Sequence, residues 1–201
     1  MNNKEAKTKY SIHPNLKKRW SPRAFDEKPV EKDKIRRLFE ALRWTPSSYN
    51  QQPWRLIVGF KGDETYTLIM DALSSKNQSW AINAPVLVAV FGRKFLNDSE
   101  DNNKVYQFDV GQSMAYLTFQ AMEEDLYVHQ MAGIKPEKMV ENFEVPVQYK
   151  PLTAAAIGYM GDPETLPGNM YNPEIAERTR FDFDDIVFSG KFGRKSSLFD
   201  D

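Results

Sequence analysis

The sequence predicts one domain built as a single β-sheet with helices on both of its faces. Three observations predict it. The chain has 201 residues, enough for one full hydrophobic core. Segments of helical period alternate with short β-rich runs over most of its length. One of those runs, Val86 to Phe91, is apolar at every position, as a strand covered on both faces would be. No internal repeat or low-complexity tract interrupts this pattern.

Residues 1–14 are expected to form a mobile N-terminal segment, with a single domain over 15–201. Residues 15–25 are basic and aromatic, and Pro22 argues against a long helix through them. Ile35, Leu38, Phe39 and Leu42 recur at i, i+3, i+4 and i+7, which predicts a helix over 31–44. Thr45-Pro46-Ser47-Ser48 stops it and opens a polar loop. Arg55 to Phe60 reads as a strand bounded by Pro53 and Gly62. Asp63 then caps a helix carrying Tyr66, Ile69, Met70 and Leu73. Pro85 opens the strand at Val86. A charged loop spans 93–104, and a long helix follows over 104–124, with Val105, Phe108, Gln112, Ala115, Phe119 and Met122 along one side. Leu126 to Gln130 reads as a short strand, Pro136 begins a helix, and Pro151 to Met160 is a further buried strand. Residues 161–176 hold three prolines and read as an extended crossing segment. Beyond Arg178 the chain is too apolar in its middle for a free tail. Its Ile186-Val187-Phe188 needs a surface to pack on, and a partner subunit is one candidate.

Composition narrows the function. Lys plus Arg is 27 and Asp plus Glu is 28, so a globally basic nucleic-acid binder is disfavoured. There is no Cys, which removes thiolate metal sites, iron–sulfur clusters and a Cys nucleophile. The two His, His13 and His129, are far apart, so no metal site is expected. The N-terminus has no apolar signal-like region, and the longest apolar run, Ala84 to Phe91, is too short to span a bilayer. A cytoplasmic protein is the expectation. GxGxxG, GxxxxGK[ST], GxSxG and SxxK are all absent. An enzyme with so few protein nucleophiles would rely on a bound organic cofactor.

Three segments carry chemistry. Arg19-Trp20-Ser21-Pro22-Arg23 places two guanidinium groups two apart with a hydroxyl between them, which suits a planar anion; the competing reading is a solvated basic turn. Pro46-Ser47-Ser48-Tyr49-Asn50-Gln51-Gln52-Pro53-Trp54 concentrates hydroxyls and amides between two prolines. It suits a ring edge of alternating donors and acceptors, or else it is a polar connection anchored by Trp54. Arg178-Thr179-Arg180 repeats the Arg-x-Arg spacing, as an exposed patch or as a second half of an anion site. Two such pairs would match a phosphomonoester of about −1.5 to −2 charge, although linear order does not show that they meet.

These segments resemble the FMN-dependent nitroreductase family. Arg19-Trp-Ser-Pro-Arg23-Ala-Phe25, Pro46-Ser-Ser-x-Asn50-x-Gln52-Pro-Trp54, Asp109-x-Gly111 running on to His129-Gln-Met-Ala-Gly133, and Arg178-Thr-Arg180 before Ile186-Val-Phe188 occur in the family's order over about 15–190. The resemblance implies an α+β, three-layer α/β/α fold with a central mixed sheet. It implies a homodimer whose C-terminal segment is exchanged with the partner subunit, and two FMN sites at the interface. Arg19, Trp20, Ser21 and Arg23 would hold the flavin from one chain, with Arg178 and Arg180 on its phosphate and Arg23 nearer the ring. Pro46, Ser47, Ser48, Asn50 and Gln52 would come from the other chain. Asn77 would reach the pyrimidine edge, and the backbone of Met131, Ala132 and Gly133 would face the reactive N5.

The activity so implied is NAD(P)H oxidation in two steps, with hydride passing from NADH or NADPH, as transient co-substrate, to FMN and then to a nitroaromatic, quinone or similar small-molecule acceptor. Activated-alkene reduction, dehalogenation and dehydrogenation on the same flavin stay open, as does a nucleic-acid binder using Lys17 to Trp20. Neither nucleic acid nor membrane is an expected partner. Trp20 stands where many relatives carry a second basic residue, and Trp80 where some carry a Lys. His129 reads either as a proton donor beside the flavin or as a structural His at a strand end. Tyr49 and Trp80 read either as substrate-lining or as packing aromatics.

Overall fold

The computed structural model describes residues 4–97 and 99–200. Four strands form one sheet: β1 (Trp54–Phe60), β2 (Val86–Arg93), β3 (Tyr127–Met131) and β4 (Tyr149–Gly158), in the order β1-β2-β4-β3. The fold is α+β, and every pairing is antiparallel. The expected mixed sheet is therefore corrected to an antiparallel one. The physical reason is the late return of β4. The crossover from β2 to β3 leaves those two strands running the same way, but β4 inserts between them and pairs antiparallel with both. Parallel neighbours never form within the described residues.

Strand periodicity explains the two cores. In β2, Val86, Val88 and Val90 point to one face and Leu87, Ala89 and Phe91 to the other, and all six are buried. The valine face packs under α2 (Lys32–Arg43) and α5 (Tyr106–Glu123), through Leu38, Leu42, Met114 and Leu117. The opposite face packs under α3 (Glu64–Asp71), α4 (Ser75–Ala81) and α6 (Pro136–Asn142), through Ile69, Trp80 and Met139. Asp63 caps α3 as its sequence position predicts, its carboxylate accepting from the Tyr66 N–H at 2.6 Å. At Gly59 a Cβ would lie 2.4 Å from the Tyr66 backbone nitrogen, so β1 must be glycine there for α3 to sit down on it. Pro151 is tolerated in β4 beside a bulge at Val90/Phe91, outside the Ala154–Gly158 stretch that β3 covers.

Helix α5 uses the side that the apolar pattern did not single out. Val110, Met114, Leu117 and Ala121 face the core, while Val105, Phe108 and Phe119 are exposed, Phe108 at 69%. Of the predicted stripe only Met122 is buried and Gln112 half-buried. The helix is apolar on both sides, which is the pattern of an element covered from both directions.

The chain ends meet each other. A short helix α1 (Pro14–Lys18) follows the N-terminal residues, and its Asn15 side chain donates to Glu123 at the end of α5 at 3.1 Å. From Lys4 onward the segment expected to be mobile makes specific contacts. The Ala6 N–H donates to the Lys17 carbonyl at 2.9 Å, and Tyr10 packs on Phe183 and Phe199. Residues 161–176, expected to be extended, form short helical turns ending in α7 (Tyr171–Ile175). The Ile186 to Phe188 stretch closes α8 (Phe183–Ile186), and Phe188 bridges to Lys195. Phe181, Phe192 and Leu198 stay largely exposed. Among the described residues no helix is long and apolar enough to cross a membrane.

Candidate active site

The two arginine pairs meet through one member of the first and both of the second. Arg19 follows α1, its N–H held by the Asn15 carbonyl at 2.9 Å, and it lines a cavity of about 310 Å³ with Arg178 and Arg180. Among the described residues no carboxylate lines that cavity. Burial pulls the Arg19 guanidinium below its ordinary range, and the nearby Arg178 and Arg180 charges add to the shift. Arg178 is lowered in the same way, by burial and then by Arg180. Three guanidinium groups on one cavity repel one another, and a bound anion would relieve that repulsion. Arg178 Nη1 donates to the carbonyls of Lys4 at 2.9 Å and Lys17 at 3.0 Å, while Arg180 Nη1 donates to the neighbouring Thr179 carbonyl at 2.6 Å.

Arg23 goes elsewhere. Its guanidinium lies 3.7 Å from the carboxylate of Glu174, a residue only 1% exposed. Glu174 Oε1 accepts from the N–H groups of Arg23 at 2.7 Å and Ala24 at 3.0 Å, and so fixes the path of the Arg19–Arg23 segment. Sequence reasoning missed Glu174, because a lone acid after Pro173 gives no local signal that it will be buried beneath a segment 150 residues away. Ser21 is exposed and accepts from Arg19 Nη1 at 3.4 Å. Trp20 lies under the Lys4 ammonium at 4.2 Å and lines a second cavity, of about 450 Å³, with Glu174, Met160 and Ile175.

The Pro46 loop forms a separate group. Pro46, Ser47 and Ser48 line a cavity of about 280 Å³ with Phe108, Asp109 and Gln112, and it shares no residue with the arginine cavity. The buried Asp109 carboxylate accepts from the Ser48 N–H at 3.2 Å, and Ser47 Oγ from the Gln52 N–H at 3.0 Å. Tyr49, Asn50 and Gln52 all have positive φ, at 49°, 54° and 45°. Three left-handed non-glycine residues within four positions store strain that the surrounding bonds must hold, a feature that clusters at ligand clamps. The Asn97 side chain donates to the Gln51 carbonyl at 2.9 Å, tying this loop to the 93–104 loop. Tyr49 is 93% exposed.

The third group lies at the end of β3. Met131 is buried, Ala132 is exposed, and Gly133 receives the Asn77 side-chain amide on its carbonyl at 3.0 Å. A Cβ on Gly133 would stand 2.7 Å from that amide and 2.8 Å from Ser74 Oγ, so the turn closes this tightly only with glycine.

His129 and Trp80 lie inside the domain. The imidazole Nδ1–H donates to the Pro22 carbonyl at 2.8 Å, and the two rings are 4.5 Å apart. Burial pushes the imidazole below its ordinary range; the Pro22 bond offsets part of that, and the Arg23 charge pushes it further down. The unfolded chain therefore takes up a proton near pH ~6.5 that the folded chain refuses, so stability is lost as pH falls below that value. His129→Gln is expected to flatten the decline in unfolding midpoint between pH 7 and about 5. Coincident slopes for the two proteins would show that the folded imidazole titrates normally.

Fold and site together define an α+β domain with three arginines on one cavity and a strained polar loop. The chain belongs to the nitroreductase family. A model of the family, described as "Nitroreductase family", matches residues 16–74. The crystal structure of an oxidoreductase containing FMN is 33% identical, superposes with a TM-score of 0.87, and the match covers 97% of this chain and 98% of that one. A nitroreductase family protein from Clostridium difficile 630 is 25% identical with a TM-score of 0.69, covering 88% of this chain and 96% of that one. An uncharacterized 15.4 kDa protein of Mycolicibacterium smegmatis is 29% identical over 147 residues, 69% of this chain and 97% of its own length.

Proposed function

We propose that this protein is an FMN-dependent NAD(P)H oxidoreductase that works as a homodimer. The observation that carries the reading is the convergence of Arg19, Arg178 and Arg180 on one cavity that no carboxylate lines among the described residues. A phosphomonoester of about −1.5 to −2 charge matches that donor set, since each guanidinium offers a fork for two oxygens. When bound, FMN supplies the two-electron chemistry, drawing on reduced nicotinamide and discharging to a nitroaromatic, a quinone or a similar electrophile.

The chain's own residues hold and orient. Arg19, Arg178 and Arg180 grip the phosphate. Ser21 lies beside Arg19, Trp20 lines the neighbouring cavity, and Arg23, steadied by Glu174, adds positive charge towards the ring. The Asn77 amide and the Met131 to Gly133 backbone border the reactive edge. Pro46, Ser47, Ser48, Asn50 and Gln52 of the partner subunit complete the pocket, which accounts for a strained polar loop lying apart from the arginines of its own chain. The exposed side of α5, with Val105, Phe108 and Phe119, supplies an apolar surface for that partner, and the exposed Phe181, Phe192 and Leu198 fit a C-terminal segment that wraps it. A cytoplasmic location belongs to the same reading.

The test is anaerobic. The purified protein, sedimenting at twice its 23.3 kDa chain mass, should carry flavin absorbance that bleaches on adding NADH or NADPH and returns with a quinone. Flavin that neither nicotinamide can bleach would overturn the nicotinamide dependence.

A further inference from the structure

The arginine cavity has a third wall that neither arginine pair supplies. Ala6, Lys7 and Thr8, from the N-terminal arm, line it beside Arg19, Arg178 and Arg180. The arm is stitched down at both ends of this stretch. The Lys4 ammonium donates to the Glu174 carbonyl at 2.5 Å, the Ala6 N–H to the Lys17 carbonyl at 2.9 Å, and Lys7 pairs with Glu177. Tyr10 then sits 5.6 Å from the ring of Phe183. The Lys4 carbonyl accepts from Arg178 Nη1, whose second hydrogen goes to the Lys17 carbonyl. Both hydrogens of that nitrogen are spent, which leaves Nε and Nη2 as a pair of donors with a set direction.

We propose that the N-terminal arm is part of the phosphate site, with the Lys4 carbonyl aiming Arg178 and with Thr8 and Lys7 adding donors, so that the arm selects FMN over riboflavin. This rests on the FMN reading above. An arginine side chain free to sample its rotamers pays an entropic cost on binding, and one already held by two backbone carbonyls has paid it. Lys7 is 84% exposed and its partner Glu177 63%, so their ion pair is weak and the ammonium turns to a phosphate at little cost. Thr8 brings a hydroxyl donor, and Ile12 and Leu16 close the cavity with apolar surface. Riboflavin, which lacks the phosphate, gains nothing from any of these groups.

The experiment titrates FMN and riboflavin separately into full-length variants by quenching of flavin fluorescence. Thr8→Val with Lys7→Gln removes the hydroxyl donor and the ammonium charge, and with it any charge-assisted bond from Lys7. Ala6→Pro deletes the N–H that ties the arm to Lys17 and unseats the Lys4 carbonyl. Each is expected to weaken FMN binding by roughly tenfold, the equivalent of one charge-assisted hydrogen bond, and to leave riboflavin within about threefold. FMN binding within about threefold of the parent in both variants would overturn the proposal. An equal loss for FMN and riboflavin would also overturn it, by showing that the arm acts only on the fold. If Ala6→Pro does not fold, the Thr8→Val, Lys7→Gln variant decides alone. A parent protein that binds no FMN would overturn the FMN reading and this proposal with it, an outcome distinct from the other two.

Discussion

Replacing Arg19 and Arg178 together by alanine is expected to leave a folded protein without flavin. Charge-assisted hydrogen bonds contribute about 1.5–3 kcal/mol each, so losing two sets amounts to roughly 3–6 kcal/mol, or about 10²–10⁴-fold in Kd. Equilibrium dialysis against FMN and the visible spectrum of the purified variant both read this out, with far-ultraviolet circular dichroism to confirm the fold. Arg178 also bonds two backbone carbonyls, so part of its loss is local structure. Arg180→Ala is the cleaner companion, because the bond from its Nη1 goes only to the adjacent Thr179 carbonyl. Its expected loss is about tenfold. Full flavin content in the double variant would mean that the arginine cavity is not the phosphate site.

Trp80→Ala is expected to cost stability rather than change the choice of acceptor. The indole is 1% exposed, 6.3 Å from the ring of Phe25 and 4.5 Å from His129, and belongs to the core beneath α3, α4 and α6. Removing a buried tryptophan leaves a cavity that costs about 3–5 kcal/mol, which in a chain of this size lowers Tm by roughly 10 °C. Denaturant unfolding of the parent and variant checks it, and Trp80→Phe should recover most of the loss. A variant of unchanged stability with an altered KM for acceptors would place Trp80 at the pocket rim instead.

Much of the fold was legible because its elements carry strong local signals. The Ile35, Leu38, Leu42 spacing, the Asp63 cap and the all-apolar Val86 to Phe91 run each depend on residues within one or two turns, and each element formed close to its expected bounds. The short helices α1, α4, α7 and α8 were illegible. Helices α1 and α4 are short and polar, held by caps from His13 and Ser74 rather than by periodicity. The buried face of α5 was misjudged because apolar residues surround the helix, and period alone cannot say which side meets the sheet.

The sequence by itself determined the donor types available: arginines in two pairs, a proline-bounded run of hydroxyls and amides, and no thiol. Those are chemical facts carried by residue identity. Only the tertiary structure decided where each donor goes. It brought Arg19 to Arg178 and Arg180, sent Arg23 to the buried Glu174, kept the Pro46 loop away from the arginines of its own chain, and laid the N-terminal arm across the anion cavity. Some of the contacts that made those choices join residues 150 or more positions apart, such as Glu174 with Ala24 and Arg178 with Lys17, and others join the Pro46 loop to Asp109, 61 positions from Ser48. Contacts of that range depend on how the strands are ordered and the helices layered, and leave no periodic trace in the chain.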